Sequence, residues 1–141
     1  MFALKFEDRL KAWKSFRETL EVSPDPFQDV IDFYNKAPRT SIHADPYDRS
    51  TWPDPWELLK ENLYCDFCCV LGMCYSLQLT ERFSATDCEI HIGIDREESR
   101  TVYLLHIENK VLGWYYEHAI STQQLPKTFE LEKQYHMEKL N

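Results

Sequence analysis

Glycine is scarce in this chain, with three residues in 141. Neither a P-loop, nor a dinucleotide glycine fingerprint, nor an H-E-x-x-H motif occurs, so the commonest phosphate cradles and zinc-protease helices are excluded. Positive charge is also short. Sixteen Lys and Arg stand against 24 Asp and Glu, for a net charge of −8, and the acidic residues are spread along the chain rather than gathered in a tail. Binding nucleic acid without sequence preference needs a basic field that displaces counterions, and no basic stripe stands out. The expectation is no nucleic-acid partner. An acidic surface permits a basic protein partner but names none. No apolar run approaches the roughly 18 residues a membrane span needs. The opening "MFALKFEDRL" carries charge where a signal peptide needs an unbroken apolar stretch. The expectation is no membrane association and a place in the cytoplasm of the producing cell.

Aromatic residues are plentiful at 14%, so the chain is neither low-complexity nor disordered. Its length suits one domain with a real core, residues 1–141. Residues 3–20 place Phe6, Leu10, Trp13 and Leu20 at helical spacing. "SPDPFQDVIDFYNKAP" reads as a second helix, capped by Asp25, entered through Pro26 and stopped by Pro38. Residues 1–38 thus form a helical N-terminal part. Residues 38–54 hold three prolines, and 39–54 form a loop that Ile42, Tyr47 and Trp52 can pin down. A third helix begins with Asp54 as cap, Pro55 in the first turn and Glu57 completing a capping box. "ENLY" can make a corner, and a buried helix is expected over 66–83, which completes a helical stretch over 55–83.

The period then changes from 3.6 to 2. "CEIHIGID" sets Ile90, Ile92 and Ile94 against Glu89, His91 and Gly93. "TVYLLHI" and "VLGWYYEH" read as two more strands joined by a hairpin at "ENK", and "TFELEKQYHM" reads as an edge strand. The fold class is therefore α+β. N-terminal helices and a buried central helix pack on a C-terminal antiparallel sheet of three to four strands, residues 88–137.

Four of the five cysteines fall in "LYCDFCCVLGMCYSLQL". Cys65 and Cys68, separated by nineteen intervening residues from Cys88 and His91, have zinc-like spacing. A strand would turn Cys88 and His91 to opposite sides, which argues against one shared ion. Five cysteines is an odd number, and no secretory signal accompanies them, so disulfides are not expected. Cys69 and Cys74 read as core. Cys65 stands apart, because a thiol at a helix N-terminus is favoured as thiolate. A nucleophilic cysteine also needs a histidine base and a group that orients it.

"YCDFCCVLG" followed by "VYLLHIENKVLGWYYEH" resembles the core of the transglutaminase-like group of the papain-type fold. Over residues 52–120 the resemblance implies Cys65 as nucleophile in a Cys-Asp dipeptide, His106 as base, and Trp114 as the tryptophan ahead of an acidic residue. Tyr64 stands where a small residue is usual, and Glu117 and His118 stand where an aspartate is usual. A second likeness is longer. "DPYDRSTWPDPWELLKENLYCDF", "LGMCYSLQLTERF" and "LPKTFELEKQY" resemble small proteins of contractile-tailed cyanobacterial phages. That likeness implies a virion component of the neck or tail and supplies no catalytic residues.

Other groups carry less. His91 with Glu89 can begin an acid–base or metal site, or can simply line a half-exposed strand face. Tyr103, Trp114, Tyr115 and Tyr116 can form a stacking platform, but strands favour the same residues for packing. In "HADPYDRSTWPDPW", Tyr47, Trp52 and Trp56 are the candidate partner surface. The favoured expectation is a non-catalytic structural or interaction protein of a virion. The expected partners are proteins, in an oligomeric assembly with other virion subunits, and no cofactor or metal is called for. The alternatives are a cysteine hydrolase or acyltransferase using Cys65, His106 and Glu117, and a small zinc module.

Overall fold

Aspartate–proline pairs set the starts of two helices. The computed structural model describes residues 1–140. Helix α1 is Phe6–Val22, α2 is Pro26–Asn35, α3 is Pro55–Glu61 and α4 is Asp66–Gln78. Asp25 accepts from the amide of Gln28 at the head of α2. Asp54 accepts from the amides of Trp56 and Glu57, and Glu57 closes the capping box. Each arrangement supplies acceptors for N–H groups that have no partner within the helix. Asn62, at φ 56°, turns the corner between α3 and α4. Arg9 of α1, 8% exposed, donates to the carbonyls of Leu59 and Lys60 and so serves the free C-terminal end of α3.

Helix α4 is buried from Phe67 to Gln78 and forms the centre of the molecule. Helix α2 crosses it closely at Gly72, where a Cβ would lie 2.4 Å from the Tyr34 ring. One turn on, Ser76 joins three helices. Its hydroxyl accepts from Trp13 Nε1 at 2.9 Å, lies 2.9 Å from the Tyr34 hydroxyl, and donates to the Gly72 carbonyl.

Strand β1 is Cys88–Asp95, β2 is Arg100–Ile107, β3 is Lys110–Leu112, β4 is Ile120–Ser121 and β5 is Phe129–Met137. They form one antiparallel sheet in the order β4-β3-β2-β1-β5. The α+β class and the edge position of β5 agree with the sequence pattern. Because side chains alternate along a strand, the sheet has two faces. Cys88, Ile90, Ile92, Leu105 and Ile107 join α4 in the main core, together with Tyr103. Val102, Leu104 and Val111 face away and are covered by Trp114, Tyr115, Ile120, Leu125 and Phe129.

Three expectations are corrected. The central helix stops at Gln78 rather than running to residue 83. The Thr80 hydroxyl bonds back to the Leu77 carbonyl, and the Glu21 carboxylate takes the amides of Glu81 and Arg82, which bends the chain away. The strand read from "VLGWYYEH" ends at Leu112. Gly113 takes φ +108°, a Cβ there would meet the Tyr103 carbonyl at 2.6 Å, and Tyr115 and Tyr116 are also left-handed. The chain therefore leaves the sheet as a loop and returns as β4, which makes five strands.

The loop over 39–54 is ordered by its own contacts. Trp52 Nε1 donates to the Asp45 carbonyl, and Asp48 caps the short turn Arg49–Thr51. Arg39 pairs with Tyr64 in an isolated parallel bridge, which lays the start of the loop beside the entry to α4.

Candidate functional site around Cys65

Cys65 is the N-cap of α4, with extended backbone at φ −77° and ψ 171°. In that position its sulfur folds back over the first turn, and Cys68 N lies 3.4 Å from Sγ. The Cys68 thiol and the backbone amides of His43 and Ala44, from the adjoining loop, favour the charged sulfur. The Cys68 hydrogen bond, which outweighs burial, and these amides bring the Cys65 thiol down to about 5. The helix dipole acts in the same direction. The other thiols are held protonated. Cys68 is pushed far up by the proton it gives to Cys65 and by burial, and burial raises Cys69 to about 12. Cys74 is pushed up by its hydrogen bond to Cys88 and by burial. All five cysteines are free.

A cleft of about 460 Å³ lies against Cys65, with Arg39, Thr40, Ile42, Phe67, Arg100, Thr101 and Tyr103 in its walls. The Arg39 guanidinium bonds Asp66 at 3.1 Å and the carbonyls of Tyr34 and Ala37. Arg100 reaches the other Asp66 oxygen at 3.9 Å. Two cations therefore share one carboxylate at the head of α4.

The structure does not bring His106 to Cys65. His106 sits beside Leu104 in β2 and one residue from Ile107, so it points to the sheet face away from α4. There its ring stacks on His91 at 3.7 Å, and His91 bonds Glu89 at 2.9 Å. Nε2 of His106 is buried without a partner, and burial followed by the neighbouring His91 takes its pKa down to about 4. Glu117, expected on a strand, lies in the loop after β3 and is exposed. Its carbonyl accepts from Gln28 of α2 at 3.0 Å. The expected trio is thus spread over two sheet faces and a loop.

Tyr103 occupies the β2 position that faces Cys65. Its ring lies 5.4 Å from that of Phe67, and burial, followed by the nearby Cys65 charge, raises its pKa. Tyr116, after the glycine turn, donates to the Asp66 carbonyl and carries Arg39 over its ring at 5.0 Å. The four aromatics read as a platform are therefore divided, since Trp114 and Tyr115 pack on the far face. The imidazole nearest in sequence to the cleft, His43, bonds Glu61 at 2.5 Å and offers the sulfur only its amide.

The four residues of the zinc alternative do not meet either. The Cys88 thiol donates to the Thr86 carbonyl at 3.8 Å on the main-core face, and His91 points to the other sheet face. Among the described residues no group of three or more His, Cys, Asp or Glu is placed to hold a metal ion. Of the candidate partner surface, Trp52 is turned inward, with its ring 5.0 Å from Phe67 and 4.9 Å from Tyr135. Tyr47 and Trp56 remain about half exposed, at 51% and 48%. Tyr47 bonds Glu132 of β5 and Trp56 rests edge-on against Trp13.

Sequence pattern could have separated His106 from Cys65. Alternation along "TVYLLHI" places Tyr103, Leu105 and Ile107 together, and a helix packs on the more apolar side. Nothing in the sequence brought the amides of His43 and Ala44 to the sulfur, since a loop contact has no period.

No protein-family model matches the sequence, and no curated protein matches it. Among solved structures the chain is similar to Legionella pneumophila LapG, in an EGTA-treated form, with a TM-score of 0.64 and 14% identity. The match covers 89% of this chain and 71% of LapG, and at that identity it is a likeness of fold.

Proposed function

We propose that this protein is a non-catalytic structural or interaction protein, built on a transglutaminase-like architecture that lacks the histidine base. The observation that carries this reading is the position of His106 on the sheet face opposite Cys65, with Tyr103 in the strand position that faces the sulfur. A tyrosine whose pKa is raised cannot accept a proton at neutral pH. Acyl transfer stops at the covalent stage when no base activates water.

The interaction half rests on surface features. Strand β5 is an edge strand of nine residues, exposed over most of its length. Such an edge offers backbone groups to another chain, and Tyr47 and Trp56 lie exposed as aromatic anchors. The phage likeness across residues 40–137 supports a place in a virion neck or tail among other protein subunits.

Two measurements test the reading. With a chromogenic acetate ester, the protein is expected to release at most about one equivalent of chromophore, acetylating Cys65, and then to stop. Sustained turnover above that of Cys65→Ala overturns the non-catalytic reading. Peptide mapping of purified phage particles is expected to find the chain in stoichiometric amount. Finding it in the lysate but not in the particles overturns the virion placement.

A further inference from the structure

Cys65 and Cys68 are spaced C-x-x-C, at the N-cap and third position of a 13-residue helix. The Cys68 amide lies 3.4 Å from Cys65 Sγ, and Cys65, itself only 2% exposed, forms part of the wall of a cleft. Cys68 is fully buried behind it. A thiolate at the mouth and a protonated thiol behind it are the two parts that disulfide exchange uses. We propose that Cys65 and Cys68 are a redox-active dithiol, which cycles between two thiols and an intramolecular disulfide by exchange with a low-molecular-weight disulfide.

The exchange balances in two steps. The Cys65 thiolate attacks one sulfur of the small disulfide, the S–S bond breaks, and one small thiolate leaves as a mixed disulfide forms at Cys65. Cys68 then loses its proton to the second small sulfur as it attacks Cys65 Sγ. The mixed disulfide breaks, the second small thiol leaves, and the Cys65–Cys68 bond remains. Two electrons pass from the protein to the small disulfide. Closing the ring needs the two sulfurs at about 2.05 Å, and Cys65, outside the helix proper, can turn without breaking the helical ladder.

The cleft offers two cations beside the sulfur, balanced by Asp66 and by the Cys65 thiolate. Arg39 and Arg100 line it with Asp66 as the one carboxylate, and the Arg100 side chain is 58% exposed. Cys65 as thiolate and Cys68 as thiol also match the order of events, because the low-pKa sulfur attacks first and is the better leaving group on return.

A second cysteine pair in the same molecule serves as an internal control. Cys74 and Cys88 also influence one another, but both are 0% exposed, whereas Cys65, at 2%, forms part of the cleft wall. Contact alone would oxidise both pairs, whereas contact plus access selects the first.

The test equilibrates the native, full-length protein in glutathione buffers of increasing oxidised fraction. The samples are then acid-quenched, and free thiols and disulfides are mapped by mass spectrometry. A Cys65–Cys68 disulfide is expected, with Cys69, Cys74 and Cys88 still thiols, and Cys65 reacting at least about tenfold faster than any of them. In Cys68→Ser the glutathione adduct is expected to accumulate on Cys65, while Cys65→Ser forms neither adduct nor disulfide. The proposal is overturned if all five cysteines stay reduced throughout, or if Cys74–Cys88 forms as fast as Cys65–Cys68. The wild-type map decides the matter even where a serine variant fails to fold. Ester turnover, which tests the reading in the preceding subsection, is indifferent to this outcome.

Discussion

Tyr103 and Cys65 line the same cleft, one from β2 and one from the cap of α4, while His106 lies three residues along β2 on the other side of the sheet. An odd-numbered step along a strand reverses the face, so no rotamer carries His106 through the sheet. Replacing His106 with Ala is therefore expected to leave the iodoacetamide reaction of native Cys65 within about twofold of wild type, whereas a true base would slow it by about 10²-fold or more. The check is the rate of label incorporation at Cys65, read by mass spectrometry.

The thiolate at Cys65 is held by Cys68 and by local amides, so its reactivity has a simple pH profile. With the pKa brought down to about 5, the thiolate is already the main species at pH 6. The alkylation rate is expected to be flat from pH 6 to 9 and to fall tenfold per unit well below 5. Cys69, raised to about 12 by burial, gives no comparable plateau. A profile for Cys65 that still climbs between pH 8 and 9 would refute the amide-held thiolate.

How much of this could be read from the sequence divides along physical lines. The helix starts were legible because capping chemistry is local: Asp25, Asp54 and Glu57 act on amides two or three residues away. Strands β1, β2 and β5 were legible because alternation is a period. The end of α4 was not, since it depends on Glu21, sixty residues distant, reaching the amides of Glu81 and Arg82. The short β3 was misread because "VLGWYYEH" has every residue a strand favours, and only the left-handed run at Gly113, Tyr115 and Tyr116 overrides that preference. At the site, Cys65 and its helix were visible from spacing. Its partners were not, because they come from the adjoining loop and from the opposite alternation of β2.

His106 supplies a pH dependence of stability. Burial and its stack on His91 lower its folded pKa to about 4, below the usual histidine value near 6.5. Glu89 on β1 raises it in part, and Asp87, Glu108 and Lys110 share the surrounding pocket. Between pH 6.5 and 4 the unfolded chain binds a proton that the native state refuses, so stability falls across that window and this group adds no further loss below it. His106→Leu is expected to remove this component. Urea midpoints for wild type and variant should diverge in the variant's favour as pH drops from 7 to 4, and parallel curves would assign the acid sensitivity elsewhere.

The Ser76 hydroxyl gives a large stability effect for a single atom. It accepts from Trp13 of α1, lies within hydrogen-bond distance of Tyr34 of α2, and donates to its own helix, all away from water. Ser76→Ala deletes little volume but strands two buried donors. Each costs about 1–3 kcal/mol when unpaired, so a loss of about 2–6 kcal/mol is expected in urea unfolding. Transfer of apolar surface predicts the opposite sign, since alanine is the less polar residue. Adding Tyr34→Phe removes one stranded donor along with its partner. The double variant is therefore expected to lie closer to Ser76→Ala than the sum of the single losses allows, with a coupling of about 1 kcal/mol or more. Strict additivity would mean that Tyr34 finds another acceptor when Ser76 is gone and that the three helices are not tied through this one oxygen.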